Sequence, residues 1–286
     1  MTVYSYRHPD IIPTDQFAFD DEFGSFRGLR VFTSGVAANG VLFERDAHID
    51  RILSAAADIH VQMRQSKDEL IAIVDRLLEK NSAEKWVMVR LVISADEPID
   101  NGAFLGKFYI HAKPVPEPEL SLYDQGARLE TVVHQRPFAT IKLTNYVAAF
   151  MARHNRDMDF PLFVSAETSN ILEGDTFNIF FVKDNQLVTP MLDGHILSGI
   201  TRRVVIEQVR AAGISVDERS IAVSDLASFD EAFLTSSIKM VMPIKSIDTA
   251  MFAVGQDTMT CRIQQVFEIF FYNQTGMHIE HLCKPG

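Results

Sequence analysis

Three prolines at alternate positions, Pro114, Pro116 and Pro118, constrain this chain more than any other feature. Proline has no N–H and a fixed φ, so the run Lys113-Pro114-Val115-Pro116-Glu117-Pro118-Glu119 cannot lie in a central strand and stiffens whatever it joins. It marks a boundary, predicting a smaller N-terminal domain over residues 1–115 and a larger C-terminal domain over residues 116–286. Each piece is long enough to bury its own core.

Before the boundary, residues 23–32 alternate large and small side chains, which predicts strands and a tight turn. Asp46 is placed to cap a helix whose apolar stripe is Ile49, Ile52, Leu53 and Ala56. His48 and Arg51, three apart, are neighbours on its surface. Ser66 and Glu69 form a capping box for a second helix that buries Leu70, Ile73, Val74, Leu77 and Leu78. A strand over residues 85–95 is apolar on both faces apart from Arg90, and residues 106–112 are its partner. After the boundary, strands are predicted at 127–134, 162–166, 178–182 and 186–189, the last two joined by an Asp184-Asn185 turn. A helix over 201–212 stops at Gly213, strands follow near Phe233 and Met242, and a helix over 261–272 comes last. The class is α+β, with helices covering one face of the first sheet.

Composition excludes several functions. A 47% hydrophobic, 23% charged chain is an ordinary soluble globular protein. A net charge of −11 without a long basic run argues against nucleic acid as a partner. No stretch reaches the roughly 18 apolar residues that span a bilayer, and residues 1–9 have no signal-peptide core. Cys261 and Cys283 have no metal-ligand spacing and suit a reducing cytoplasm. The histidines are scattered, His278 and His281 being the nearest approach to a ligand pair, so no metal is expected.

The chemistry centres on Ile141-Lys142-Leu143-Thr144-Asn145-Tyr146, where a lysine lies between a strand-like run and a helical run. Such a lysine is either an exposed loop residue or a desolvated amine able to form a Schiff base. Two downstream segments favour the amine: Asn170-Ile171-Leu172-Glu173-Gly174-Asp175-Thr176-Phe177-Asn178-Ile179-Phe180, and Leu197-Ser198-Gly199-Ile200-Thr201-Arg202-Arg203. With the lysine segment they resemble the fold-type IV pyridoxal-phosphate enzymes, the class IV aminotransferases, from about Phe23 to Asp248. That group includes D-amino-acid transaminases, branched-chain aminotransferases and aminodeoxychorismate lyases.

The resemblance implies a two-domain fold, an N-terminal α/β sandwich and a C-terminal β-barrel-like domain with helices, with pyridoxal 5′-phosphate as cofactor. It makes Lys142 the amine that holds the cofactor and moves a proton. Glu173 becomes the acid beside the pyridine nitrogen, and Tyr146 the group that meets the ring oxygen. Leu197 packs on the ring. Gly199, Ile200 and Thr201 hold the phosphate at a helix N-terminus, with Arg51, Ser236 and Ser237 around it. Members are usually homodimers with shared sites, acting on amino acids and 2-oxo acids.

The family carries a glutamate after the aromatic taken as equivalent to Phe26, where this chain has Arg27. Arg90, unpaired on an apolar strand, should face a pocket or a carboxylate. Branched-chain members usually have a tyrosine two residues before such an arginine, and Met88 stands there instead. The Arg-x-His pair of well-studied D-amino-acid transaminases is absent between Arg90 and Pro114. Arg27 and Arg90 together are therefore expected to hold substrate carboxylates, favouring a D-amino acid with 2-oxoglutarate or pyruvate. A branched-chain L-amino-acid aminotransferase, an aminodeoxychorismate lyase and a non-catalytic relative are the alternatives. The last predicts erosion of a cofactor set that is intact here.

Overall fold

A computed structural model of the chain describes residues 2–154 and 157–283. They form two compact units, the first comprising Met1–Pro116, Ile141–Asn145 and Asn273–Met277, the second Glu117–Thr140, Tyr146–Tyr272 and His278–Gly286. A single cut at the proline run therefore leaves out two short returns. One of them carries Lys142.

The first unit contains β1 (Tyr4–Arg7), β2 (Asp10–Pro13), α1 (Glu22–Arg27), β3 (Arg30–Ala38), β4 (Val41–Leu42), α2 (Arg45–Asp58), β5 (Val61–Gln62), α3 (Lys67–Lys80), β6 (Trp86–Pro98) and β7 (Phe104–Pro114). Its sheet runs β2-β1-β7-β6-β3-β4, with β5 on β7. Val31, Ala37, Val89, Leu91, Ile93, Phe108 and Ile110 form one core with Ile49 and Ile52 of α2 and with Leu70, Val74 and Leu77 of α3. Burying each such side chain contributes about 1.5–3 kcal/mol. The predicted capping box is present, Ser66 N–H donating to Glu69 at 2.7 Å and Glu69 N–H to Ser66 Oγ at 3.3 Å.

Two local expectations are corrected. Residues 22–27 are helical, closed by Gly28 at φ +68°, and the strand starts only at Arg30. Arg30 is tied to Asp21 at 2.7 Å and lies 3.9 Å over the Phe19 ring, which fixes where the strand begins. Asp46 does not cap α2 but lies within its first turn, bonded to Arg45, where a carboxylate still meets the positive helix end.

The second unit contains α4 (Leu120–Gln125), β8 (Ala127–Val133), α5 (Val147–Arg153), β9 (Phe160–Val164), β10 (Ile171–Gly174), β11 (Asn178–Lys183), β12 (Gln186–Pro190), α6 (Ile200–Ala211), β13 (Val216–Arg219), β14 (Glu231–Ser236), β15 (Met240–Ile247), β16 (Ala250–Met251) and α7 (Met259–Thr275), whose last turn belongs to the first unit. Its sheet runs β10-β9-β8-β15-β14-β11-β12-β13. The two ends meet: Asn170 bridges Ala222, and Ile171 N–H donates to Ile221 O at 2.8 Å. The sheet is thus barrel-like. Asp184 and Asn185, at φ 50° and 61°, make the turn that joins β11 and β12, a geometry short polar residues tolerate. No described helix is long and apolar enough to cross a membrane.

Candidate active site

In the first unit, β3 pairs with β6 along its length but with β4 only at Ala37 and Ala38. That leaves an edge at Val31 and Phe32, and an open edge recruits a partner. Residues 141–144 supply it. Leu143 bridges Val31, Phe32 N–H donates to Lys142 O at 3.0 Å, and Thr144 N–H donates to Arg30 O at 3.3 Å. Ile141 and Leu143 anchor in the core on either side. Lys142 is half-buried, its Nζ 4.9 Å from the Phe32 ring centroid.

Register divides the remaining groups between the faces of this sheet. Thr33 lies on the helix-covered face, its Oγ1 2.6 Å from His48 Nδ1, and Arg51 Nη2 donates to the same hydroxyl. The His48 ring lies against β3 because Gly35 has no side chain; a Cβ there would be 2.8 Å from His48 Nε2. On the opposite face Ser34 pairs with Arg90, and Arg90 with His111. Arg90 Nε donates to Ser34 Oγ at 3.4 Å, and its guanidinium lies 5.7 Å from the Phe32 ring, the ring that also carries Lys142. Arg90 has no carboxylate partner among the described residues. Met88 is buried on the same face.

Arg27 is exposed at the end of α1, its guanidinium 6.0 Å from the Phe23 ring, and no contact joins it to Arg90. Of the two arginines expected to hold substrate carboxylates, Arg27 thus lies on an exposed helix end and Arg90 on a strand face. The aromatic on the strand beside Lys142 is Phe32, not Phe26, and the residue that follows it is Thr33. The short helix and Gly28 displaced the apparent motif.

In the second unit Glu173 is buried at 4% exposure. Arg136 Nε donates to its Oε1 at 3.1 Å and Arg136 Nη2 donates to the same oxygen. Asn178 Nδ2 and Leu197 N–H donate to Oε2 at 3.2 and 3.1 Å. Asn178 also donates to Leu197 O at 2.9 Å, which ties β11 to the segment leading into α6. Tyr146 packs with a small cluster that includes Leu172 and Ile196, the residues next to Glu173 and Leu197 in sequence. Sequence reading missed Arg136. Only its position six residues before Lys142 could have suggested it.

The start of α6 is a second feature of this unit. Ile200 and Thr201 are buried, and Gly199 before them provides no capping side chain. A helix end buried without a cap leaves N–H groups to be met by something else. A Cβ on Gly199 would fall 2.0 Å from Asn178 Oδ1, so only glycine fits. Across the ladder from Asn178 is Thr235, whose Oγ1 is buried and makes no hydrogen bond with a described residue. Ser236 Oγ accepts from Lys239 N–H at 3.0 Å and shapes the turn that carries Ser237. An acid held by donors, an uncapped buried helix start and an unmatched buried hydroxyl suit a ligand with one basic ring atom and one anionic group.

The family model for amino-transferase class IV matches residues 30–247. A provisionally named branched-chain-amino-acid aminotransferase of Methanocaldococcus jannaschii is 31% identical over 79% of this chain and 78% of its own length. A D-alanine aminotransferase of Listeria monocytogenes is 27% identical over 80% and 82%, and an aminodeoxychorismate lyase of Bacillus subtilis 26% over 86% of each. Among solved structures, a branched-chain aminotransferase of Thermoproteus uzoniensis superposes with a TM-score of 0.83 at 25% identity, covering 96% of both chains. The chain belongs to the class IV aminotransferases, the fold-type IV group of pyridoxal-phosphate enzymes.

Proposed function

We propose that this enzyme uses pyridoxal 5′-phosphate to move an amino group between an α-amino acid, a D-amino acid in the first reading, and a 2-oxo acid such as pyruvate or 2-oxoglutarate. The observation that carries this is the set of donors on Glu173. Arg136, Asn178 Nδ2 and the Leu197 N–H all donate to it, so a carboxylic acid O–H there would meet a donor and no acceptor. Glu173 is thus an acceptor only, and a protonated ring nitrogen takes the place of one of these donors.

Bound pyridoxal phosphate supplies an aldehyde for an amine and a ring that takes up negative charge. Lys142 Nζ provides the amine and moves the substrate proton. The N–H groups of Ile200 and Thr201, with Gly199, Thr235, Ser236 and Ser237, hold the phosphate. Arg51, oriented by Thr33 and His48, is the cation this reading assigns to the phosphate. Tyr146 meets the ring oxygen and Leu197 its face. Arg90 binds the substrate carboxylate, because a half-buried guanidinium with no acid partner among the described residues is costly until one arrives.

Met88 in place of the tyrosine usual in branched-chain members supports the D-amino acid reading. The apolar pair Met88 and Val92 flanking Arg90 favours a second one, a branched-chain L-amino acid. The working form is a homodimer in the cytoplasm. Exposed Phe138, Val147, Phe150 and Met151 of the second unit support an interaction surface.

The visible absorption of the purified holoenzyme tests the substrate class. D-alanine should bleach the cofactor band and pyruvate restore it. Bleaching by L-leucine alone moves the assignment to the second reading. A band that neither amino acid changes points to the lyase.

A further inference from the structure

Across the face of the first sheet opposite its helices, Ser34, Arg90 and His111 stand side by side on β3, β6 and β7, and Met88 faces Lys113 one rung along. Ser34, Arg90, His111 and Lys113 are all half-buried. Neither Arg90 nor Lys113 has a carboxylate partner among the described residues. Asp20, beside β7, is committed to the Tyr109 hydroxyl at 2.7 Å and to Lys107. A row of donors on an apolar sheet, whose cations have no carboxylate partner among the described residues, is arranged for an anion. Arg90 and Lys142 both lie within 6 Å of the Phe32 ring, so the row adjoins the candidate amine.

We infer that His111 is a substrate-binding residue: its imidazole N–H and the Arg90 guanidinium grip the same substrate carboxylate, with the Ser34 hydroxyl as a third donor. The inference rests on the transaminase reading of the Arg90 site and adds a contact to it. Phe17 holds the imidazole in place, the ring centroids 5.2 Å apart. A neutral histidine suits the task, since it donates a hydrogen bond without adding a third cation beside Arg90 and Lys113.

Burial pushes the His111 pKa below the ordinary 6.5, and Arg90 and Lys113 push it further the same way. The other titratable group beside it, Tyr109, stays a neutral phenol because burial raises its pKa. His111 is therefore neutral at pH 7 in the free site. A bound carboxylate offsets the two cations and lessens this depression of the His111 pKa, so it is held more tightly where His111 is protonated. Affinity for the carboxylate should rise as pH falls below 6.5 towards the free-site value.

The experiment combines kinetics and NMR on the holoenzyme. His111→Phe should raise the KM for pyruvate about tenfold with kcat within about twofold. His111→Gln, which keeps an N–H donor, should stay within about threefold of the parent KM but lose the pH dependence of KM. The His111 ring resonance should shift on adding pyruvate, and not in Arg90→Gln. An unchanged KM in His111→Phe, or a resonance indifferent to pyruvate, overturns the inference. The two readings fail separately. A cofactor band that no amino acid alters defeats the transaminase reading, whereas the pyruvate titration of His111 needs no turnover and still decides this one.

Discussion

The two units present their candidate groups in opposite ways. In the first, the groups are cations spread over a strand, a helix and a returning segment: Arg90 and Lys142 beside the Phe32 ring, Arg90 on the Ser34 hydroxyl, Arg51 on the Thr33 hydroxyl. In the second, the central group is one carboxylate, and arginine, amide and backbone donors crowd both its oxygens. A carboxylate with donors on both oxygens is held in one orientation, and its role is geometric.

The largest break should come at Lys142. Lys142→Ala should lower turnover by about 10³-fold or more and abolish the covalent attachment of cofactor, read as loss of its long-wavelength absorption. A protein that keeps both would remove this lysine from the chemistry. Next is Arg136→Met, which strands a buried carboxylate and should destabilise the second unit by about 3 kcal/mol, measured by denaturant unfolding. Arg136→Lys should recover part of that loss, because it restores the charge without the fork. The smallest effect belongs to Thr33→Val, which removes the hydroxyl shared by His48 and Arg51. Cofactor should bind roughly threefold to tenfold more weakly, by equilibrium dialysis, with little change in unfolding. Equal losses of stability in Arg136→Met and Thr33→Val would erase the contrast between the units.

Much of the second unit's site is legible in the amino-acid sequence. Glu173, Asn178 and the Gly199-Ile200-Thr201 helix start lie in two short segments, and local sequence fixes such elements because strand alternation and helix starts are local properties. The first unit is harder. Arg51 and His48 are readable as helix neighbours, but what they meet, Thr33, depends on which residue begins β3. A six-residue helix closed by Gly28 moves that start to Arg30, and the motif expected at Phe26-Arg27 gives way to Phe32-Thr33.

What the sequence determined by itself was the class: a lysine, a glutamate and a glycine-led helix start in order, two units joined through prolines, and a barrel-like second sheet. Tertiary structure decided the company these groups keep. It placed Arg136 on Glu173, returned residues 141–145 to the edge of β3, and set His111 beside Arg90 across the ladder that joins β6 and β7. These are pairings between distant segments, fixed by register and by which sheet edge is left open. No local pattern encodes either one.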